Sequence, residues 1–390
     1  MSRAFDRIAE VRPHGFNVSD KTNWFFVSVH TEDGAVGWGE ASLNGREPEI
    51  EAALQCLASG CVGLPVDAAA ARLTVDPAAL GGLAANAAVS AVQQALIGVQ
   101  AEREGKPVHA LLGPLVRHEV PLYANINRAT TVRTPEGFVA TALRALACGY
   151  RGFKAAPFEG VTPAKAGTPE GQRLIAHGIT CMLALRDAVG PAARLMVDCH
   201  WRFDETRALE VLRALAPARL HWFECPLPET PAHWPALRRI RAAANEQGVL
   251  VAAAETQVGV AAFQTLFDEA LYDVVMPDVK YCGGPREMLR IAERAAKAGV
   301  RFSPHNPTGP VCTQHSLHAA AVAPECEGLE MQFDESPLYE EVVARGLPQL
   351  MGGALVVPTG AGLALGLDEE VLAAHPRKLV PPGIEAHQGQ

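Results

Sequence analysis

From Val120 onward the chain alternates short apolar runs with longer stretches of helical period. The apolar runs predict strands at 122–127, 153–158, 194–200, 220–225, 249–255, 273–278, 300–305 and 328–333. Between them, apolar residues recurring every three or four positions predict a helix opening at Thr134-Pro135-Glu136 and others at 172–189, 204–215, 234–247, 259–269, 285–298 and 313–323. Thr134 has the side chain of an N-cap, and Pro135 suits a first helical position. Strands alternating with helices imply parallel strands joined by right-handed crossovers. An open doubly wound sheet would concentrate its ligands at one switch point. A closed barrel collects them at the C-terminal ends of all its strands. Here an ionisable group closes one apolar run after another, and no GxGxxG or P-loop follows any of them.

Ahead of this region the pattern is different. Residues 23–30 and 36–40 read as two strands of a hairpin turning at Glu32-Asp33-Gly34. Helical periodicity covers 48–57 and 86–104, the second stretch stopping at Gly105 before Pro107. The polar segments 14–21 and 42–47 read as loops, either plain surface or a substrate lid. Beyond about residue 345 the chain becomes rich in Gly and Leu and lacks another strand–helix unit. The reading is an α/β protein: an N-terminal α+β capping domain (1–119), a (β/α)8 barrel (120–345), and a return segment (346–390) that completes the cap. The tail from about Pro381 is expected to fray.

Composition narrows the partners. Of the 390 residues 48% are hydrophobic and 20% charged, as in an ordinary globular enzyme. The net charge of -9, without any basic run, argues against nucleic acid or an anionic membrane surface. The nine cysteines form no metal-type CxxC. Cys148, Cys181, Cys199 and Cys312 sit in apolar or periodic stretches and read as free buried thiols of a reducing cytoplasm. The N-terminus lacks the apolar core of a signal peptide. No run is expected to reach the roughly 20 apolar residues that span a bilayer.

The chemistry starts from L-M-V-D-C-H-W-R-F-D at 195–204. Strand alternation would place Asp198 and His200 on one face. An Asp-x-His alone is usually a polar loop entry. Here, however, later apolar runs end in Glu224, Glu255, Asp278, His305 and Glu330. Neighbouring strands lie about 4.8 Å apart, so Asp198, Glu224 and Glu255 should converge. Any one of them could cap a helix or pair with Arg, but three together repel and need a cation. Hard oxygen donors select Mg²⁺. Asp278 beside His305 would fix the imidazole tautomer and raise its basicity, as a general base requires.

These residues and their spacings resemble the mandelate racemase-like group of the enolase superfamily. The likeness is to its sugar-acid dehydratases, of which galactonate dehydratase is an example. It extends over nearly the whole chain. The intervals from Asp198 to Glu224, Glu255 to Asp278 and Asp278 to His305 match the family pattern. That from Glu224 to Glu255 is longer, with the slack near A-A-A-N-E-Q-G. The resemblance implies that Asp198, Glu224 and Glu255 hold Mg²⁺ and that His305, paired with Asp278, takes the proton next to a carboxylate. It implies that His200 protonates a departing hydroxyl and that Glu330, or less readily Glu335 or Asp334, binds the substrate carboxylate or enediolate. It also implies a small-molecule sugar acid as substrate and an even-numbered homo-oligomer. The racemases' Lys-x-Lys pair is missing: Lys154 is followed two residues on by Ala156, and a long insertion (E-G-V-T-P-A-K-A-G-T-P-E-G) comes after it. Lys154 is left either as a carboxylate contact or as a strand-end lysine reaching for solvent. Arg46, Trp201, Arg202 and Asn306 are candidates to meet substrate hydroxyls. A racemase or epimerase of a 2-hydroxy acid, and a silent acid-binding barrel, are the rival readings.

Overall fold

The computed structural model describes residues 7–383. Residues 1–6 and the tail beyond Gly383 lie outside the described residues, and with them the start of the N-terminus and most of the segment expected to fray. Three antiparallel strands open the fold: β1 (Ile8–Ser19), β2 (Thr22–Thr31) and β3 (Val36–Glu40), followed by helices α1 (Glu47–Cys61), α2 (Val66–Arg72) and α3 (Gly82–Arg103). The hairpin β2–β3 is as expected, but β1 is not: most of the presumed loop 14–21 pairs residue by residue with β2. Its polar residues fit because β1 is an edge strand, a place that also tolerates Pro13.

Strand β3 packs onto the backbone of α3. A Cβ on Gly39 would stand 1.9 Å from the Ala91 carbonyl oxygen, and one on Gly37 2.0 Å from that of Ala95. Gly39→Ala is therefore expected to lower the stability of the cap by about 3 kcal/mol, the upper end of ordinary overpacking, because a backbone carbonyl cannot step aside. A thermal melt unchanged from the parent would contradict this. Helix α3 contains an 18-residue window of mean hydropathy 1.3 and is long and apolar enough by composition to cross a membrane, so the expectation that no segment reaches this length does not hold. Its apolar residues are buried inside the cap instead, against Phe25, Val27 and Val29.

The barrel strands are β4 (Glu119–Asn125), β5 (Gly152–Ala155), β6 (Arg194–Asp198), β7 (Trp222–Glu224), β8 (Leu250–Ala253), β9 (Val274–Val275), β10 (Arg301–Phe302) and β11 (Leu329–Gln332). From β4 to β10 each pairs in parallel with the next, and β11 pairs with β4. The seam between β10 and β11 is sewn by the Glu327 N–H donating to the Phe302 carbonyl (2.9 Å) and Ser303 Oγ to that of Gly328 (2.6 Å). The result is the expected closed (β/α)8 barrel beneath an N-terminal cap. Helices follow the strands close to the expected positions, and Thr134 caps Pro135–Ala147 by accepting from the Gly137 N–H. The insertion after β5 folds as a short turn of helix, Pro163–Ala166, ahead of Pro169–Val189. A plug of Tyr123, Met196, Trp222, Ala252, Val274 and Met276 fills the barrel below the strand ends.

The chain then runs through β12 (Val343–Arg345), β13 (Leu350–Met351), β14 (Ala354–Val356) and β15 (Gly366–Leu367). Strand β14 adds to β4, and Leu363, Leu365, Leu367 and Leu372 pack with Phe16, Trp24 and Phe26 of the cap. All cysteines are free; Cys181, Cys199 and Cys312 are buried as expected, but Cys148, which follows the last turn of its helix, is exposed.

Two histidines on the helix Pro310–Val322 join barrel to cap and return segment. His315 Nε2 donates to the Trp38 carbonyl (3.0 Å) and His318 Nε2 to that of Leu363 (3.3 Å). Burial pushes His315 down to about 4 and His318 down to about 3. A histidine neutral in the fold but free to protonate when unfolded contributes stability above its ordinary pKa near 6.5 and loses it as pH falls toward the folded value. The loss is about 1.4 kcal/mol per pH unit per histidine, so about 4 kcal/mol for the pair by pH 5. Urea unfolding at pH 7.5 and pH 5 should show a large drop in midpoint. The double variant His315→Gln/His318→Gln should lessen it while the share of His14, which burial also brings down to about 4, remains, and a pH dependence equal to the parent's would refute the assignment.

Candidate active site

The strand ends deliver the acidic residues by register. Asp198 at the end of β6 lies directly beside Glu224 at the end of β7, and Glu255 follows β8 by two residues. Their ligand oxygens lie within 4.8 Å of one another, and all three side chains are buried. The backbone turns sharply at these ends. His200, Trp201, Cys225 and Ala254 take left-handed φ of 47°, 55°, 44° and 82°, a region L-residues seldom occupy. The predicted strand 194–200 therefore stops at Asp198, and the meeting of Asp198 with His200 comes from the turn rather than from strand alternation. The turn folds the imidazole back onto the carboxylate: His200 Nε2 stands 2.7 Å from Asp198 Oδ2, and the His200 N–H donates to Oδ1 (2.9 Å).

Lys154 does not reach for solvent. It is buried at the barrel centre, with Nζ 2.6 Å from Glu224 Oε1 and 2.8 Å from Glu330 Oε1. The Trp222 indole donates to Glu224 Oε2 (2.7 Å). Glu330 also accepts from Asn125 Nδ2 (2.8 Å) and from the Asn306 N–H (3.1 Å). On the far side of the cage, residues 278 and 305 form a parallel bridge beyond β9 and β10. His305 Nδ1 lies 2.8 Å from Asp278 Oδ2, while Nε2 faces Glu255 Oε2 (3.6 Å) and Glu330 Oε2 (4.0 Å). Since a carboxylate only accepts, Nδ1 carries a proton toward Asp278, and in the neutral ring the lone pair is on Nε2, facing the cage.

The electrostatics are dominated by burial of like charges. Burial pushes the Glu224 carboxyl up to about 8, with Asp198 and Glu330 adding to the rise against the pull of Lys154. Burial also opposes the charge on Asp198, yet the adjacent His200 brings it down to about 2. For Lys154, the carboxylates of Glu224 and Glu330 outweigh burial and hold the ammonium well above its usual range. A cage that cannot keep all its carboxylates charged on its own calls for a cation, and three buried carboxylates with converging oxygens are the donor set that suits Mg²⁺.

Sequence reasoning overlooked two residues of the surroundings. Lys280 Nζ donates to Asp278 Oδ2 (2.6 Å), the same oxygen that His305 uses, and the Lys280 N–H donates to Oδ1 (2.8 Å). The signal was available, since Lys280 repeats after Asp278 the two-residue offset of His200 after Asp198. Glu40, at the end of β3, accepts from Ser42 Oγ (2.7 Å) and from the N–H groups of Gly309 (2.9 Å) and Cys312 (3.0 Å). It thereby clamps the cap to the start of the helix that follows His305, where a carboxylate also suits the helix dipole. Of the residues expected near substrate hydroxyls, Asn306 abuts Glu330. Arg202 bonds the Val161 carbonyl (3.0 Å) with its charge near Asp198. The Trp201 indole turns to Glu229, and Arg46 bonds Glu49 at the start of α1. Asp334 pairs with Arg144 on the outside and Glu335 with Arg128, so Glu330 is the acid that stands beside His305. Two cavities of about 600 Å³ lie elsewhere on the molecule, and neither is lined by the caged carboxylates. Between cap and barrel mouth lies a narrow polar space, with Thr22, Asn44, Arg128, Lys280 and Thr308 among its walls.

A closed (β/α)8 barrel with caged carboxylates at its strand ends and an N-terminal cap defines an enolase-type protein. Residues 5–113 match the mandelate racemase / muconate lactonizing enzyme N-terminal domain and residues 137–371 the enolase C-terminal domain-like family, so the chain belongs to this family of the enolase superfamily and is an enzyme. It is 28% identical over 358 residues to the D-galactonate dehydratase of Xanthomonas euvesicatoria pv. vesicatoria (strain 85-10), covering 90% of each chain. In fold it is similar to a mandelate racemase/muconate lactonizing enzyme from Jannaschia sp. CCS1 (TM-score 0.83, 23% identity, 95% of this chain and 98% of that one). It is equally similar to a Burkholderia xenovorans strain LB400 structure bound to magnesium and fumarate (TM-score 0.83, 24% identity, 98% of both).

Proposed function

We propose that this enzyme dehydrates a sugar acid of the aldonate type to a 2-keto-3-deoxy acid. The observation that carries the reading is the pair of histidines on opposite members of one carboxylate cage, His200 on Asp198 and His305 beside Glu255. The 28% identity to a D-galactonate dehydratase over most of both chains supports the same chemistry. Asp198, Glu224 and Glu255 would hold a Mg²⁺ ion. When bound, it supplies positive charge where the substrate's carboxylate oxygens become those of an enediolate.

The chain's own residues do the rest. His305 Nε2 takes the C2 proton, and Asp278 holds the ring and stabilises the imidazolium that forms. Glu330, oriented by Asn125 and Asn306, closes the carboxylate end of the cage beside His305. His200, whose Nε2 is engaged by Asp198, gives a proton from Nδ1 to the departing C3 hydroxyl, so that it leaves as water; the enol product then ketonises. The polar residues under the cap meet the remaining hydroxyls, and the cap keeps bulk water off the cage.

The racemase alternative needs a second base. Lys154 is badly placed for it, because an ammonium clamped between Glu224 and Glu330 gives up its proton reluctantly. His200 is the only second base the alternative keeps among the proposed site residues. The direct test is a screen of acid sugars for 2-keto acid formation, with at least one aldonate expected to give product. A library in which substrates exchange or invert at C2, and none yields keto acid, would favour the epimerase.

A further inference from the structure

We propose that Glu229 is a positioning residue that sets the geometry of the proposed metal cage, an inference that rests on the metal reading of Asp198, Glu224 and Glu255. Glu229 lies in the loop after β7, in C-P-L-P-E, outside the set of residues given a role above. Its Oε1 accepts from the Trp201 indole (3.1 Å) and from the backbone N–H of Ala254 (3.1 Å), with Cys225 Sγ at 3.9 Å. Its Oε2 accepts from Gln257 Nε2 (3.1 Å).

Each of the first three partners is the chain neighbour of a site residue. Trp201 follows His200, Cys225 follows Glu224 and Ala254 precedes Glu255. Each also has left-handed φ. None is glycine, so each of these turns stores strain that its surroundings must hold in place. One carboxylate that accepts from two of these residues and touches the third ties together the ends of the strands carrying the cage. It is suited to the task because it accepts only and has lone pairs enough for several donors. Without it, the Ala254 N–H and the indole lose their acceptor, the turn before Glu255 is free to relax, and the ligand oxygens drift from their common point. Groups that orient ligands in this way typically carry a 10- to 100-fold share of metal affinity.

The test measures Mn²⁺ binding to the purified protein by the loss of the free-ion EPR signal, without substrate. Glu229→Ala should bind Mn²⁺ about 10- to 100-fold more weakly than the parent. Glu229→Gln keeps one acceptor oxygen for Trp201 and Ala254, and the Gln257 amide can turn to meet its new donor; it should recover affinity to within about threefold of the parent, the rescue expected when one accepting oxygen still holds both donors. A merely structural role would lower the melting temperature and leave the affinity of the folded protein alone. Glu229→Ala with parental Mn²⁺ affinity, or Glu229→Gln no better than Glu229→Ala, overturns the proposal. If Glu229→Ala does not fold, Gln257→Ala removes only the Oε2 bond and should weaken Mn²⁺ severalfold, and an unchanged affinity there overturns it equally. A parent that binds no Mn²⁺, or a Glu224→Gln variant that binds it as the parent does, would bring down the metal reading and this inference together. A parent that binds, beside an unaffected Glu229→Ala, sinks only the positioning role.

Discussion

His200→Asn is expected to keep exchanging the substrate's C2 proton with D₂O while making little or no keto acid, and His305→Asn to lose both activities. The asymmetry follows from where each ring is held. His305 is oriented by Asp278 with Nε2 toward the cage, so the proton-abstracting unit survives loss of His200 intact. His200 sits on the opposite member of the cage, on Asp198, and its loss removes the donor to the leaving hydroxyl. Hydroxide is a poor leaving group without a proton, and a positioned general acid is typically worth about 10²–10⁴-fold. Parallel assays of deuterium incorporation and 2-keto acid formation separate the two steps. Near-normal dehydration by His200→Asn would mean that His305 serves as both base and acid, and would remove the role given to His200 while leaving the barrel and the cage untouched.

Glu224→Gln should abolish binding of a divalent cation and with it activity, while the barrel stays folded. Glu224 is the innermost of the three carboxylates, fully buried, with Lys154 on one oxygen and the Trp222 indole on the other. The amide keeps the volume and an oxygen for one of those donors but removes the charge. Loss of the charge leaves the Lys154 ammonium with Glu330 as its carboxylate partner and turns the amide's own donor toward Lys154 or Trp222, so the variant is expected to melt lower than the parent while still folding cooperatively. The cage, by contrast, loses one of its three anionic ligands. Removing a single well-placed electrostatic stabiliser commonly costs 10²–10³-fold in kcat, and loss of the ion should cost at least about that much. Calorimetric titration with Mg²⁺ and activity after exhaustive chelation check the two halves. Full activity in EDTA would end the metal assignment, whereas an inactive variant that also fails to melt cooperatively would show that Glu224 is needed for folding instead.

The local order of the chain was enough to find the barrel and most of its mouth. Eight apolar runs separated by helical periods are legible because the spacing of apolar residues shows which conformation can bury them, even though the strands then pair with partners far along the chain, and each run ends near the residue that the fold presents. For that reason Asp198, Glu224, Glu255, Asp278, His305 and Glu330 could be picked out before any coordinates, and the structure brings them to one place. The hairpin β2–β3 and the Thr134 cap were legible on the same grounds. Strand β1 was not, because an edge strand with polar residues shows no alternation of its own and owes its conformation to pairing with β2.

Only the tertiary structure decided what lies across the barrel rather than along it. Lys154 ends a strand whose sequence allows either a solvent-seeking or an inward lysine. Closure of β11 onto β4 puts Glu330 within reach from one side while Glu224 approaches from the other, and the buried pair of anions fixes the ammonium between them. Glu40 and Glu229 likewise look like ordinary loop or strand-end acids in the sequence. Their donors come from segments far along the chain, Gly309 and Cys312 for Glu40, Trp201 and Ala254 for Glu229. Periodicity reports which side of an element faces inward; it carries no information about which distant element will be found there, and a buried charge is settled by that partner alone.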